Sequence, residues 1–518
     1  MQSSPKRGVP FFHRILDGIE WAGNRLPHPI TLFAILCAVV LVVSWFCAYF
    51  GISATGELID SKTLELTEQT VTCVSLLSRD GIVYILTSMV KNFTDFAPLG
   101  IVLVIMLGVG CAEGSGYLSA LLKKAVLITP RQVITPMLVF LGVMSNVATD
   151  VGYVLLIPIG AMLFIAYGRH PMAGLAAAFA GVSGGFSANL LVGALDPLLS
   201  GISTEAAHMI DPSYTVYATD NWYFMIASTL LIVVIGSLVT DHIVEPRLGG
   251  YNSHESDHLQ TASLLPQEVK ALKAANLTLL ALVVFLVAAA IPKSSLLRNP
   301  ETGSLIAGSP LIDGLIPLLA LLFFLPSVVY GRVAGVYKGE KDICNQLQDN
   351  MSVMGSYIAL VFVCAQFTSY FNYSRLGTIL AIRGAELLKT SGISGPLLMV
   401  LFILFASLVN LLIGSASAKW TILAPVFIPM FMVLGYSPQL TQVAYRIGDS
   451  CTNLITPLMS YFAMIVVFAR KYDPKSGIGT LISTMLPYSL LFLAGWSVLL
   501  VAWMLLGLPL GPGAALLL

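Results

Sequence analysis

Two polar, glycine-rich interruptions lie about 270 residues apart in strongly apolar sequence, and each carries side chains able to hold an ion or an organic anion. The first runs through Ser145-Asn146-Val147-Ala148-Thr149-Asp150, Ile157-Pro158, Pro171, Gly181-Val182-Ser183 and Ser187-Ala188-Asn189. The second runs through Gly414-Ser415-Ala416-Ser417-Ala418-Lys419-Trp420, Ile428-Pro429, Pro438, Gly448-Asp449-Ser450 and Cys451-Thr452-Asn453. In both copies the glycine follows the second proline by ten residues and the serine follows it by twelve. Paired interruptions of this kind in the two halves of a membrane protein point to a transporter's substrate site.

Carboxamides and hydroxyls, together with backbone carbonyls freed at a helix break, are ligand types suited to a hard cation. Asn146, Asn189, Asn410 and Asn453, with Ser145, Ser415, Ser417 and Ser450, supply them, although the same groups also serve as ordinary interhelical hydrogen bonds. Ionisable groups at membrane depth cost about 2.5 to 3.5 kcal/mol each to insert, so Asp150, Asp196, Arg446 and Asp449 call for a reason. Arg446 and Asp449 are three apart, on one helical face. Either they form an internal ion pair, or Arg446 receives an anionic substrate group while Asp449 responds to a coupling cation. Asp196 precedes Pro197, where it is also placed to cap a helix. Trp420 at a hairpin tip offers a stacking surface for an aromatic substrate, the alternative being an interfacial anchor. Gly181 and Gly185 form a GxxxG, which reads first as close helix packing.

The elements that must position these residues are membrane helices. The chain is 57% hydrophobic and 10% charged, with a mean hydropathy of +0.86, whereas about a quarter of the residues in soluble domains are charged. Runs of spanning length begin at Pro29 to Gly51, too long and too far from the start for a cleaved signal peptide. Others follow at about Phe96 to Ala112, Trp222 to Thr240, Ala274 to Pro292, Pro310 to Tyr330, Ser352 to Phe371 and Leu486 to Leu508. Lysine and arginine mark cytoplasmic loops. Lys6, Arg7, Arg14 and Arg25 therefore put residues 1–28 inside, and the acidic stretch Ile52 to Asp95 outside.

Keeping every later basic loop inside requires residues 133–167 to be a re-entrant hairpin with its tip at Ser145 to Asp150. Residues 171–200 then cross outward as a helix broken near Gly181 to Asn189. By the same parity, residues 396–434 form a hairpin from the opposite face, and residues 438–469 a helix broken near Gly448 to Asn453. The expected fold is an all-α polytopic membrane protein of about nine transmembrane helices plus two oppositely oriented re-entrant hairpins, an inverted repeat. Its halves, residues 29–243 and 274–518, flank a cytoplasmic linker at 244–273, and Tyr117 to Ile128 and Gly377 to Leu388 are amphipathic segments for the interface. Irregular backbone at membrane depth is tolerated only where protein or a water-filled cavity satisfies it, so the breaks should converge on one cavity.

Net charge is zero, which gives no reason to expect a nucleic-acid partner, and the seven cysteines have no CxxC spacing. No phosphate-binding loop appears, so ATP-driven transport is not expected. An intramembrane enzyme lacks a GxGD-type aspartate pair or a serine-histidine arrangement, and the inverted repeat argues against a channel. An ion-coupled carrier remains, with a dicarboxylate or other anion as one substrate class.

The runs Leu26-Pro27-His28-Pro29, Lys91-Asn92-Phe93-Thr94, Phe96-Ala97-Pro98-Leu99-Gly100, Gly168-Arg169-His170-Pro171, Asp220-Asn221-Trp222-Tyr223-Phe224-Met225, Gly414-Ser415-Ala416-Ser417-Ala418 and Leu508-Pro509-Leu510-Gly511-Pro512-Gly513 resemble the aminobenzoyl-glutamate transporter (AbgT) family over essentially the whole chain. Gly414 to Ala418 looks more like its efflux branch. The resemblance implies a bacterial inner-membrane homodimer with one pathway per protomer, nine spans and two hairpins. It implies p-aminobenzoyl-glutamate as substrate, export of sulfonamides by some members, and coupling to Na+ or H+ with no other cofactor. Substrate contacts are then expected at Trp420, Arg446, Ser417, Pro438, Asp449 and Asp196, with Pro457 also implicated. Sodium ligands are expected at Asn410, Asn189, Asn453 and Asp196, and hairpin tips at Ser145, Asn146, Asp150 and Ser415.

Overall fold

The computed structural model describes residues 29–59, 66–147, 152–251, 264–305, 309–459 and 461–518. The N-terminal segment 1–28, the middle of the linker and Asp150 lie outside them. Among the described residues seven helices are long and apolar enough to cross a membrane, and a bent pair, Glu340–Ser352 with Gly355–Tyr373, makes eight. Shorter apolar helices, Arg131–Ser145, Gly152–Ala166, Pro171–Gly184 and Gly395–Asn410, accompany them.

Two groups of helices can be distinguished. In one, Pro29–Tyr49 and Arg79–Thr94 pack on Gly355–Tyr373, and Ala97–Gly114 packs on Leu315–Ala334, which in turn packs on Pro266–Ala290. Leu277, Leu280, Val284, Phe285 and Val287 of the last helix are exposed, as a lipid-facing stripe requires. The other group contains both hairpins and both broken helices, with Trp222–Val239 and Ile478–Leu505 packed among them.

The first hairpin is Ile134–Ser145 followed by Gly152–Leu156 and Ile157–Ala166; the second is Gly395–Asn410 followed by Ala416–Val433. Each broken helix starts on a proline at its first position, where the missing N–H costs nothing. His170 Nδ1 accepts from Met172 N at 3.2 Å ahead of Pro171, and Ser437 Oγ accepts from Leu440 N at 3.4 Å ahead of Pro438.

In the first copy the α-helix ends at Phe179, a π-helical turn Ala180–Gly184 follows, and irregular backbone leads to Leu195–Ala207, within the expected Gly181 to Asn189 region; in the second the helix runs to Thr452 and the irregular stretch leading to Phe462–Tyr472 starts at Asn453, the end of the expected region. Neither glycine is itself the point where helical backbone stops. The two glycines instead permit close approach: a Cβ on Gly181 would overlap Val139 O, and one on Gly448 would lie 2.6 Å from Ile403 O. The same sequence offset relates Val139 to Ile403 and Asn146 to Asn410. Asn146 Nδ2 donates to Val182 O at 2.9 Å, and Asn410 Nδ2 to Asp449 O at 2.6 Å. Each hairpin thus grips its broken helix by an equivalent glycine contact and an equivalent asparagine bond.

Two further departures from the sequence reading concern the stretch Ile52 to Asp95. It contains an antiparallel strand pair, Ser53–Ile59 with Leu66–Thr72, and the helix Arg79–Thr94. Ala54 and Val71 on the strands are buried, and Ser78 caps the helix by accepting from Gly81 N, whereas the sequence reading used the stretch only for its acidic excess.

Outside the breaks, Arg169 ties the open end of the first hairpin to the far end of the Trp222 helix. Its Nη1 donates to Thr135 Oγ1 at 2.7 Å, its Nη2 to Asp241 Oδ1 at 2.6 Å and to Glu245 Oε2, and its Nε to both Glu245 oxygens at 3.0 Å. The guanidinium also sits 4.0 Å above the Phe164 ring.

Candidate binding site between the broken helices

The helix Pro438–Thr452 is buried along its whole length, although its residues are as polar as they are apolar. That burial forces every polar side chain on it to find a partner inside the protein, since an unpaired buried polar group costs about 1 to 3 kcal/mol. Arg446 and Asp449 do so separately. Arg446 Nη2 lies 2.6 Å from Asp196 Oδ1, and Lys419 Nζ lies 2.5 Å from Asp449 Oδ1. The expected alternative of an Arg446–Asp449 pair within one helix is therefore not what forms. Each residue reaches across to a different element: Asp196 on the helix after the first break, Lys419 on the first turn of the second hairpin's second arm.

Both pairs are highly buried, with side-chain exposures of 3% and 11% in the first and 0% and 1% in the second. Two cations against two anions leave the cluster charge-balanced. Removing either member of such a pair costs about 3 to 5 kcal/mol, because the other charge is then buried alone.

Asp196 does not cap a helix starting at Pro197: the helix begins at Leu195, and Asp196 Oδ2 instead accepts from Gly193 N at 2.7 Å, tying the end of the break to the first turn. Arg446 Nη2 reaches Ser187 O at 2.9 Å, and Ser187 N donates to Ser450 Oγ at 3.1 Å, so the first break is bonded directly to the second repeat's helix. Arg446 Nε, Arg446 Nη1, Ser187 Oγ and Asp449 Oδ2 are buried with no partner among the described residues.

Lys419 was not among the sequence candidates. The cost argument applied to Asp196 and Arg446 applies to it as well, although the sequence reading gave it no role. Nζ is bonded to Asn410 Oδ1 in addition to Asp449. Asn410 Nδ2 in turn reaches Thr452 Oγ1 at 2.8 Å and Asn453 Oδ1 at 3.0 Å. Asn410 and Asn453 are thus brought together. Asn189 is not part of that group: its Nδ2 bonds Val143 O at 3.3 Å and its Oδ1 accepts from Leu191 N. Among the described residues, Asn189 and Asp196 make their hydrogen bonds and ion pair with groups other than Asn410 and Asn453.

Trp420 is fully buried, which removes the interfacial-anchor alternative. Its ring stacks on Tyr445 at 4.4 Å between centroids, and its Nε1 donates to Ser203 Oγ at 2.9 Å. Ser203 continues to Gln442 Oε1 at 2.6 Å and Gln442 Nε2 to Asn221 Oδ1 at 2.7 Å, a chain of contacts that the sequence did not announce. Tyr445 Oη donates to Ala416 O at 2.5 Å, holding the hairpin tip against the helix.

Ser415 caps the second arm by accepting from Ala418 N, and Ser417 Oγ lies 3.4 Å from Ser415 Oγ. Ser145 Oγ donates to Gly142 O at 2.7 Å, closing the last turn of its own helix. Pro438 sits at the start of the buried helix, two turns before Arg446, and Pro457 in the irregular stretch after it.

This arrangement can do one kind of chemistry well. A buried guanidinium with free N–H groups binds a carboxylate by two parallel charge-assisted hydrogen bonds, and the breaks supply irregular backbone around it.

The comparisons agree with that architecture. The family profile described as "AbgT putative transporter family" matches residues 14–518. The p-aminobenzoyl-glutamate transport protein of Escherichia coli (strain K12) is 39% identical over 501 residues, 96% of each chain. The solved YdaH transporter of Alcanivorax borkumensis, described as having an unusual topology, is 47% identical, with a TM-score of 0.87 over 94% of this chain and 100% of its own. MtrF of Neisseria gonorrhoeae, which represents a class of antimetabolite efflux pumps, is 48% identical, with a TM-score of 0.91 over 97% of this chain and 100% of its own. A multi-pass helical protein with two gripped, broken helices that matches the profile along nearly its full length belongs to the AbgT transporter family.

Proposed function

We propose that this protein is an ion-coupled secondary transporter of p-aminobenzoyl-glutamate that also exports sulfonamide-type antimetabolites. It works as a carrier, not an enzyme, in the inner membrane of a bacterium. The observation that carries the reading is Arg446: a buried guanidinium, neutralised on Nη2 by Asp196, with Nε and Nη1 unpartnered among the described residues. The substrate's glutamate carboxylate is the group such a fork accepts. Because the cluster is already charge-balanced, an anion entering it needs a compensating cation, which is the physical basis for coupling to Na+ or H+.

The proposal includes the arrangement around the site: nine spans, two hairpins of opposite orientation, a cytoplasmic N-terminus and a homodimer with one pathway per protomer. Single-cysteine labelling of Tyr436 from outside and Gly168 from inside supports it; labelling of both from one face defeats it.

Trp420 presents no exposed ring face in this state, and this favours a second reading in which the substrate is a plain dicarboxylate. Proteoliposomes loaded with radiolabelled p-aminobenzoyl-glutamate, under imposed sodium and proton gradients applied separately, test both readings. Gradient-driven flux that succinate does not inhibit supports the first. Flux of succinate alone replaces it with the second.

A further inference from the structure

Arg375 is the one non-glycine residue with a positive φ among the described residues. It stands in the turn between the helices Gly355–Tyr373 and Leu376–Ser391 with φ 61° and ψ 10°, whereas every other positive-φ position is a glycine. This left-handed conformation crowds an L side chain and costs glycine nothing sterically. An arginine that bears such a cost calls for a task. Packing supplies none: its side chain is exposed and makes no hydrogen bond or ion pair among the described residues.

The turn opens onto a cavity of about 570 Å³, a size suited to a small organic ligand. Thr70 on the strand Leu66–Thr72, His208 just after the helix Leu195–Ala207, and Asn372, Tyr373 and Arg375 in the turn all line it. Val74 N donates to Ser374 O at 3.1 Å and Thr378 Oγ1 to Met209 O at 3.4 Å, so the three walls are bonded to one another. The side chains of His208 and Asn372, like that of Arg375, have no partner among the described residues. No aspartate or glutamate lines the cavity among those residues either. A guanidinium, an imidazole N–H and a carboxamide NH2 without a carboxylate to neutralise them are a donor set for an anion. Tyr373, stacked on Tyr84 at 4.0 Å between centroids, adds a rigid aromatic wall. The cavity shares no lining residue with the cluster around Arg446.

We propose that this cavity is a second binding site, for an organic carboxylate, in which Arg375 takes the carboxylate on its fork while Asn372 and His208 donate from the turn and the facing wall. In the orientation proposed above it lies at the outer face. The choice of ligand rests on the transport reading, and the site goes beyond it: the carrier holds its anion at the outer surface as well as at membrane depth. His208 belongs to the group of helices that carries the breaks, and Arg375 follows Gly355–Tyr373 of the other group, so an occupied cavity joins the two groups at their outer ends.

The test follows alkylation of Thr70→Cys by N-ethylmaleimide in the purified full-length carrier, read at that residue by mass spectrometry. p-Aminobenzoyl-glutamate should slow it, and so should succinate. Adding Arg375→Gly should raise the concentration for half protection by about tenfold, the loss of hydrogen bonds to a charged group. Its Tm should equal or exceed that of wild type, because glycine relieves the left-handed turn. A residue that served only the fold would lower Tm when removed. Arg375→Asn, which tolerates the same backbone without the charge, should behave alike and decides the matter if the glycine variant does not fold. Protection should persist in Arg446→Lys.

Absence of protection by both anions, protection unchanged by the Arg375 variants, or a fall in Tm accompanying lost protection in both variants overturns the proposal. Protection lost in Arg446→Lys overturns it as well, since the label would then report the site at membrane depth. Arg375-dependent protection that appears in phosphatidylglycerol nanodiscs and not in phosphatidylcholine ones, with no soluble anion added, assigns the cavity to a lipid phosphate instead. Protection by succinate alone defeats p-aminobenzoyl-glutamate as the ligand and leaves the carboxylate site standing.

Discussion

Arg446 Nη2 lies 2.6 Å from Asp196 Oδ1, so a residue two turns into the second repeat's buried helix is held by a carboxylate just past the first repeat's break. The pair joins the two halves of the protein at the depth where both lose regular backbone. It also orients the guanidinium, leaving Nε and Nη1 for a ligand.

Replacing Arg446 by lysine keeps the charge and removes the fork. An ammonium directed at Asp196 has no second in-plane donor for a substrate carboxylate, so Arg446→Lys should weaken p-aminobenzoyl-glutamate binding by roughly 10- to 150-fold, the equivalent of about 1.5 to 3 kcal/mol for hydrogen bonds to a charged group. Calorimetry on the purified variant measures this. Wild-type affinity in a folded Arg446→Lys protein would remove Arg446 from the substrate site.

The separate pairing of the four charges makes its own prediction. Double-mutant cycles on Tm should give strong coupling for Asp196→Asn with Arg446→Met and for Asp449→Asn with Lys419→Met, and weaker coupling for Asp449→Asn with Arg446→Met. Each single change leaves a buried charge alone at a cost of about 3 to 5 kcal/mol, part of which the matching change restores. Equal coupling in all three cycles would mean that the charges act as one undivided cluster.

Much of this site was legible in the sequence, because insertion cost singles out charges in apolar runs and the repeat spacing marks paired interruptions. Three things were not. A separation of three residues puts Arg446 and Asp449 on one face but says nothing about which distant carboxylate or ammonium approaches that face, and here Asp196 and Lys419 do. A glycine inside an apolar helix signals either a break or a close contact, and only the packing of Gly181 on Val139 and of Gly448 on Ile403 decides for contact. Lys419 stands in the tip motif with no partner that its sequence neighbours announce, and only the packing, with Tyr445 Oη on the Ala416 carbonyl, shows that its side chain is buried. The strand pair Ser53–Ile59 and Leu66–Thr72 escaped for a related reason: its acidic residues were counted for topology, and its alternation was not.

Arg169 offers a test away from the substrate. Its guanidinium meets Thr135, Asp241 and Glu245 at once, which fixes both arms of the first hairpin to the end of the Trp222 helix. Arg169 is held in its charged form by these carboxylates, which together outweigh the opposing effect of burial. Glu245→Gln should cost more stability than Asp241→Asn, because the Glu245 side chain is 23% exposed and that of Asp241 39%, and solvent screens the more exposed partner. Arg169→Lys should behave like a deletion of the clamp, since a single ammonium cannot reach three partners in a fixed fork. Thermal unfolding of the three variants in detergent ranks them; an Arg169→Lys protein as stable as wild type would show that the charge alone suffices.

Asp220 should give the fold a pH dependence that does not involve transport. It lies just before the span that begins at Trp222, is 6% exposed, and accepts from Tyr217 N at 2.9 Å. Burial raises its carboxyl from 3.8 to about 7, the backbone bond opposing that only in part. The sign follows from linkage: between about pH 4 and 7 the folded protein holds the proton and the unfolded chain has lost it, so the stabilisation present below pH 4 disappears as pH rises through 7. The difference amounts to about 4 kcal/mol at one tenfold step per pH unit. Asp220→Asn keeps the shape and cannot ionise. Its Tm should fall less than that of wild type between pH 5 and 8, and it should be the more stable of the two at pH 8. Parallel pH profiles for the two proteins would show that Asp220 is already ionised in the fold across this range.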